Sequence, residues 1–331
     1  MQSPRDRLEA LRRSGAMQLI GDPEPVVSYS NDTWLTRTAD GDEAVLRVCW
    51  IGDRERLLRE AAIGAALPAE VGYPAVLDSG RMTVDDVTIT WMLSRRLTGC
   101  TLMEAWPTLD EDTRDRAVLE VAEPLRALHR WRPGAELTTR IASAATPPGA
   151  LPDDIIGASI LPLPLERVQA LVTPAVERAG AYAPVVEAAW RWLVDHADLL
   201  PVLDEPATGV VTHGDLHLGN VWWNGERVAG LIDLEWVRWG PSWLDLARIR
   251  DAAVLAGSGS EDEESDQAHA QLLAALRSGW PELELVPELD RRLTAAQLTH
   301  QLRSVLTWGP PGEHPAVDHP VSVLRLLLDL V

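Results

Sequence analysis

Apolar positions along the chain change period several times, and those changes divide it into elements. Residues 1 to about 20 place Leu8, Leu11 and Ile20 on one side of a helix. From Pro25 to Trp50 the apolar runs are short: VVSYSNDTWLTRT, the turn ADGDE and AVLRVCW predict two or three antiparallel strands. RERLLREAAIGAAL, residues 54–67, returns to helical spacing with good helix formers throughout. YPAVLDSGRM and DDVTITWMLSR then read as strands. The order βββαββ predicts a small antiparallel sheet with one main helix, closing at residue 95.

Beyond that point strand signals thin out. LDEDTRDRAVLEVAEPLRALHRW predicts one amphipathic helix starting near Asp110, and PLERVQALVTPAVERAG and APVVEAAWRWLVDHADLL predict two more. AHAQLLAALRSGW, LDRRLTAAQLTHQLRSVLTW and VSVLRLLLDLV predict helices toward the C-terminus. VWWNGERVAGLID interrupts this pattern, because Asn224-Gly225 between apolar runs signals a short hairpin. GSGSEDEESDQ, residues 257–267, reads as a solvated loop. The predicted class is α+β, with a β-rich lobe over residues 1–95 and a mostly helical lobe over 96–331.

Composition narrows the chemistry. The 331 residues suffice for two lobes with a core each. A hydrophobic share of 46% and a charged share of 24% are ordinary for a globular protein. No apolar run approaches the roughly 18 residues of a membrane helix, and MQSPRDRLEALRRSG lacks the apolar stretch of a secretory signal. Cys49 and Cys100 give no disulfide framework, so a cytoplasmic setting is expected. The chain has no lysine and no phenylalanine, and its 30 basic residues are all arginine. A Walker-type GK[ST] loop and lysine Schiff-base chemistry are thereby excluded. GSGSED at 257 lacks the third glycine of a dinucleotide fingerprint. A net charge of −20 argues against nucleic acid or an anionic membrane as partner. It suits a cationic small substrate, with solubility as the alternative role of the acidity.

The stretch HGDLHLGNVWWNG concentrates polar groups. His213 and His217 are four apart, a spacing used by zinc-binding helices. Gly214 and Gly219 weaken a helix there, the intervening glutamate is missing, and no further Cys or His cluster exists. The pattern H-x-D-x-x-x-x-N fits better: His213, Asp215 and Asn220, with Asp233 at the end of the strand after the hairpin. This is the protein-kinase arrangement of a catalytic loop and a metal-binding aspartate. Asp215 then orients and deprotonates a hydroxyl nucleophile, and Asn220 with Asp233 supplies oxygen ligands to Mg²⁺.

HGDLHLGNVWW, LIDLEW and GPSWLDLA resemble the aminoglycoside phosphotransferase and choline kinase superfamily, specifically over residues 211–250. The resemblance implies a bilobal protein-kinase-like fold and phosphoryl transfer from ATP or GTP to a small-molecule hydroxyl. It implies that Glu60, in REAAIGAAL, pairs with the phosphate-binding cation. The family usually has a lysine there, and this chain has Arg47, whose fork suits both carboxylate and phosphate. SYSNDTW stands where a glycine-rich phosphate loop is expected, so Ser28, Ser30 and Asn31 are either phosphate donors or a polar turn. Leu93-Ser94-Arg95-Arg96 is the implied hinge, whose backbone meets the nucleobase. Glu235 supports a second metal or makes a local hydrogen bond.

The remaining residues take lesser parts in this reading. His213 and His217 frame the catalytic loop, His129 is structural, and Asp245 holds the GPSWLDLA turn. Of Trp222 and Trp223, which alternate on a strand, at least one enters the core; Trp236, Trp239 and Trp243 are read as core before substrate walls. The implied acceptor is an antibiotic, either an aminoglycoside or another glycosylated or nucleoside natural product, in a resistance or self-protection role. A metabolic kinase for choline, homoserine or a sugar, and a nucleotide-binding regulator without transfer activity, are the alternatives. Neither nucleic acid nor membrane is expected as partner, and the chain is expected as a monomer or homodimer.

Overall fold

A computed structural model describes residues 3–28, 31–84, 87–144, 151–153, 155 and 162–331. The chain opens with α1 (Pro4–Ser14), started by a capping box. The Ser3 hydroxyl accepts from the Asp6 N–H at 3.2 Å, and the Asp6 carboxylate accepts from the Ser3 N–H at 3.0 Å. Gly15, left-handed at φ 69°, stops it. The predicted helix to residue 20 is therefore too long. Ile20 belongs to strand β1 (Leu19–Val26), where it is exposed rather than packed beside Leu8 and Leu11.

Five antiparallel strands follow: β1, β2 (Asp32–Thr38), β3 (Glu43–Cys49), β4 (Val76–Val84) and β5 (Val87–Arg95), in the order β1-β2-β3-β5-β4. Alternation sends Trp34, Leu46, Val48, Ile89, Trp91 and Leu93 to one face, where α1 brings Leu8 and Leu11. Cys49 and Met92 point the other way, onto Leu57 and Ala61 of α2 (Arg56–Gly64). β3 is thus central and carries Arg47 toward α2. A buried pair, Arg7 with Asp32 at 2.5 and 2.9 Å, ties α1 to the start of β2, with Arg7 stacked on Trp50.

The C-terminal part is mostly helical. After β6 (Cys100–Thr101) come α3 (Leu102–Ala105), α4 (Glu111–Glu120), α5 (Ala122–Arg130), α6 (Ala135–Ala144), α7 (Leu165–Ala179) and α8 (Ala183–Asp195). The single helix expected from Asp110 is two. Asp110 does cap it, accepting from the Thr113 N–H at 2.8 Å. Pro124 has no N–H to offer the carbonyl four residues back, and the helix breaks at Val121.

Then come β7 (Val210–Thr212), β8 (Val221–Trp223), β9 (Val228–Leu231) and β10 (Arg238–Gly240); β7 pairs with β10, and β8 lies between β6 and β9. The hairpin expected at Asn224-Gly225 forms, but with four loop residues rather than two. Trp223 pairs with Val228, and the Asn224 side chain accepts from the N–H groups of Glu226 and Arg227. Helices α9 (Leu244–Ala253), α10 (Glu263–Gly279), α11 (Leu289–Thr307) and α12 (Pro320–Asp329) complete the chain. The predicted loop 257–267 is shorter than expected, because α10 begins at Glu263. Glu263, Glu264 and Asp266 fill its first turn, where negative charge complements the helix dipole.

Two cores hold this part. One gathers β7–β10 with α3 to α5, α9, α10 and the start of α11; the other gathers α7, α8, the rest of α11 and α12. No helix among the described residues is long and apolar enough to cross a membrane.

Candidate active site

His213, Asp215 and Asn220 sit on the loop between β7 and β8, and Asp233 follows β9. Gly214 makes the first bend possible. Its φ is 84°, and a Cβ there would lie 2.0 Å from the Trp236 carbonyl oxygen, so no other residue fits. The loop hangs on Asp245, at the start of α9. That buried carboxylate accepts from the His213 N–H, the Gly214 N–H and His129 Nε2 at 3.0, 3.0 and 2.8 Å. Burial would raise its pKa, but the bonds from His129 and the loop bring it below the ordinary carboxylate range. His213 is fully buried and bonds the Ile232 carbonyl at 3.0 Å, joining the loop to the residue before Asp233.

Asp215 carries the carboxylate at the centre. Burial pushes its pKa up, while Arg248 on α9, whose Nε donates to Oδ1 at 2.8 Å, and His217 push it down, for a net lowering. It is a carboxylate at neutral pH. His217 lies 3.9 Å from its other oxygen, and the Gly219 N–H donates to His217 Nδ1 at 3.1 Å. Burial, opposed by Asp215, lowers the His217 pKa to about 4, so its ring is neutral at pH 7. Asn220 is buried, and its amide nitrogen donates to the Asp215 carbonyl at 2.8 Å.

On the sheet side, Arg47 reaches from β3 into three carboxylates. It contacts Glu60 at 2.7 Å, Asp233 Oδ1 at 2.7 Å and Glu235 at 3.0 Å. The three acids have oxygens within 4.8 Å of one another. Glu60 is locked further by the Tyr73 hydroxyl at 2.8 Å and the Leu234 N–H at 2.9 Å. Burial drives its pKa up to about 7 despite Arg47, with Asp233 and Glu235 adding to the rise. Glu235 also accepts from Arg56 Nε at 3.1 Å and from the Asn31 amide at 2.9 Å, and Arg56 donates in turn to Asn31. Three acids and two arginines thus share one buried cluster. Asp233, held at φ 61°, keeps its second oxygen free of Arg47, and with Asn220 offers the oxygen ligands a hard cation prefers.

The other expected residues are placed as follows. Asn31 is buried in the Glu235–Arg56 network and directs its side chain there, not outward as a loop donor. Ser28 is exposed, and Ser30 lies outside the described residues. Ser94 is buried in β5, paired with Val45 and Val76. The Arg95 and Arg96 N–H groups are already engaged, by the Ala75 and Glu43 carbonyls at 2.8 and 3.0 Å. Trp223, Trp239 and Trp243 are core; Trp222 and Trp236 are half-buried.

Three polar residues escaped the sequence reading: Arg56, Tyr73 and Arg248. The signal for Arg248 was in LDLARIRD, where Asp245, Arg248 and Asp251 recur every third residue on one helix face. A cavity of about 630 Å³ opens beside this face. It runs from His217, Arg248 and Met103 to Trp308, with Glu261, Asp262, Asp266 and Asp318 among its walls. No arginine among the described residues pairs with those four acids. Burial raises the Asp266 pKa, and repulsion from Glu263, Asp262 and Asp318 adds to the rise, although the Ser260 hydroxyl donates to it.

Comparison with known proteins bears on the fold and the family. Solved structures similar over nearly the whole chain include a thermostable mutant of aminoglycoside phosphotransferase APH(4)-Ia in a ternary complex with ADP and hygromycin B. It is 18% identical, covers 100% of this chain and 98% of its own, and has a TM-score of 0.61. ADP-bound APH(2'')-Ib (16%, 97% and 97%, TM-score 0.56) and a gentamicin complex of APH(2'')-IIa (16%, 99% and 97%, TM-score 0.58) are also similar. No curated protein sequence matches. The family model described as phosphotransferase enzyme family matches residues 24–286. With the Asp215 loop, the Arg47–Glu60 pair and this span in agreement, the chain belongs to that family and is a phosphotransferase acting on hydroxyl groups.

Proposed function

We propose that this small-molecule phosphotransferase moves the γ-phosphoryl of ATP or GTP to a hydroxyl of a cationic, sugar-based acceptor, with an aminoglycoside-type antibiotic as the first candidate. Another glycosylated or nucleoside natural product fits the same outline. The single observation that carries the reading is the cavity beside Asp215. At about 630 Å³ it has room for a multi-ring ligand, and its wall carries four acids that no arginine among the described residues pairs with. Ammonium groups on the acceptor would relieve the repulsion felt by Asp266. A choline-sized alcohol would leave most of that space and charge unmet. Detoxification of such an antibiotic in the cytoplasm, for resistance or self-protection, is the role that follows.

The roles divide between residues 1–95 and 96–331. Arg47, held by Glu60, steadies the nucleotide phosphates from the first part. The backbone of Leu93-Ser94-Arg95-Arg96, at the end of β5, meets the base. Asp215 accepts a hydrogen bond from the acceptor hydroxyl, fixes it for in-line attack and takes its proton as the new O–P bond forms and the bond to the departing nucleoside diphosphate breaks. Neutral His217 and buried His213 hold the loop that presents Asp215. Asn220 and Asp233 would hold Mg²⁺, which neutralises phosphate charge when bound.

The test is a screen of acceptors, including aminoglycosides, nucleosides, choline, homoserine and simple sugars, run with ATP and with GTP. Transfer to cationic glycosides, abolished by chelation and by Asp215→Ala, is the expected result. Turnover confined to choline or homoserine would move the protein to a metabolic role. Tight nucleotide binding without transfer to any acceptor would make it a regulator.

A further inference from the structure

The acceptor cavity holds one arginine where a cationic acceptor would have no use for it. Arg248 is the sole arginine among the described residues of the cavity wall, and it stands at the catalytic end. Its Nε donates to Asp215 Oδ1 at 2.8 Å. Its Nη1 lies 3.5 Å from Asp251 Oδ2, and the same oxygen is 2.6 Å from His300 Nδ1. Asp251 is on α9 one turn beyond Arg248, and His300 is on α11, which contributes to both cores of this part of the molecule. A chain of four charged or polar groups therefore runs from α11 to the Asp215 carboxylate, and Arg248, Asp251 and His300 all line the cavity.

We propose that Arg248 is a positioning residue for the transfer step, its guanidinium braced by Asp251 and His300 so that the Asp215 carboxylate keeps one orientation toward the acceptor hydroxyl. Asp215 sits on a loop, and without Arg248 its side chain would rotate between Oδ1 and Oδ2 presentation. The fork is suited to the work, because its Nε binds Asp215 while its Nη1 faces Asp251, so one rigid planar group links the two carboxylates. The bond also holds Oδ1, which leaves Oδ2, on the His217 side, for the hydroxyl. Burial works against the charge of Arg248, and Asp215 and Asp251 more than restore it. The guanidinium acts through Asp215 and contacts no reacting atom.

This inference rests on Asp215 as the base that the proposed function assigns. The experiment compares wild type, Arg248→Ala, Arg248→Lys and Asp215→Ala. Nucleotide turnover is measured with water, and with hygromycin B or gentamicin as acceptor, in the presence and absence of ethylguanidinium. Arg248→Ala is expected to lose about 100-fold in kcat, with KM for nucleotide and acceptor within about twofold of wild type. Arg248→Lys is expected to keep an intermediate rate, since it restores charge without the fork. Ethylguanidinium is expected to raise kcat of Arg248→Ala about tenfold and to leave Asp215→Ala unchanged, with unfolding midpoints of the Arg248 variants near that of wild type. Wild-type kcat in Arg248→Ala, a loss carried by KM alone, or equal rescue of Asp215→Ala would overturn the assignment. Turnover with water but with neither antibiotic would count against the acceptor reading, while the kcat pattern with water would still decide the role of Arg248.

Discussion

On the sheet side of the site, Glu60, Asp233 and Glu235 converge on Arg47 and Arg56 through bonds of 2.7 to 3.1 Å. On the acceptor side, Glu261, Asp262, Asp266 and Asp318 meet no arginine at all among the described residues. Both regions are acidic, yet one is stitched closed before any ligand arrives and the other is left electrostatically open. Under the proposed function, the difference follows from what each side has to do. A phosphate cradle must keep its geometry while a highly charged nucleotide enters and leaves, so its cations are held by buried acids. An acceptor pocket gains from unmet charge, which attracts a complementary ligand and speeds encounter.

The hub joining the two sides gives the largest expected effects. Asp215→Ala removes the group that orients the hydroxyl, and kcat is expected to fall about 10²–10⁴-fold while nucleotide affinity, read by calorimetry, stays near wild type. Equal loss on both axes would show that the loop is a frame shared by both sides rather than a reaction centre. Asp245→Ala deletes the acceptor of three donors in a buried place, two of them loop N–H groups. It is expected to cost on the order of 3–5 kcal/mol of stability, measurable by chemical denaturation, and to remove activity with it.

The closed side is probed by Arg47→Lys. A single ammonium replaces a fork that now reaches three acids, so one charge-assisted bond is lost. Nucleotide KM is expected to rise about tenfold, with acceptor KM little changed. The open side is probed by Asp266→Asn, which relieves repulsion without altering shape. Acceptor KM for a polycation is expected to rise on the order of fivefold, less so at high salt, with nucleotide KM unchanged. A nucleotide effect from Asp266→Asn, or an acceptor effect from Arg47→Lys, would erase the distinction between the two sides.

The smallest effect concerns acid. The unfolded chain takes up the His217 proton near pH 6.5 and the folded chain only near 4, because burial outweighs the pull of Asp215. The stability this group contributes is therefore present above pH 6.5 and lost as pH falls through 4. Thermal unfolding of His217→Gln is expected to show a shallower decline over that window than wild type. An identical slope would mean that His217 is protonated in the folded state.

The α+β class and the strand order around one main helix were legible because period-2 and period-3.6 patterns are local. The loop from His213 to Asn220 was legible for the same reason, since its chemistry sits in eight consecutive residues. What escaped depends on register or on distance along the chain. That Arg95 and Arg96 have their N–H groups engaged follows from how β5 meets its neighbours, which spacing alone does not encode. Arg56 meets Glu235 across 179 residues, and nothing in RERLLRE distinguishes it from the other arginines there. Ile20 was misplaced because an apolar residue happened to fall on the helical period, although Gly15 was present as a stop signal. Pro124 is likewise a local signal for the break at Val121, outweighed in the pattern by the apolar spacing on either side of it.

Arg47 stands where the family usually carries a lysine, and the chain has no lysine anywhere. One practical consequence reaches beyond catalysis. Acyl-phosphate nucleotides and other amine-acylating probes identify kinases by modifying the side-chain amine that faces the phosphates. A guanidinium, always protonated, does not react with them. Chemoproteomic surveys built on such reagents would pass this phosphotransferase over.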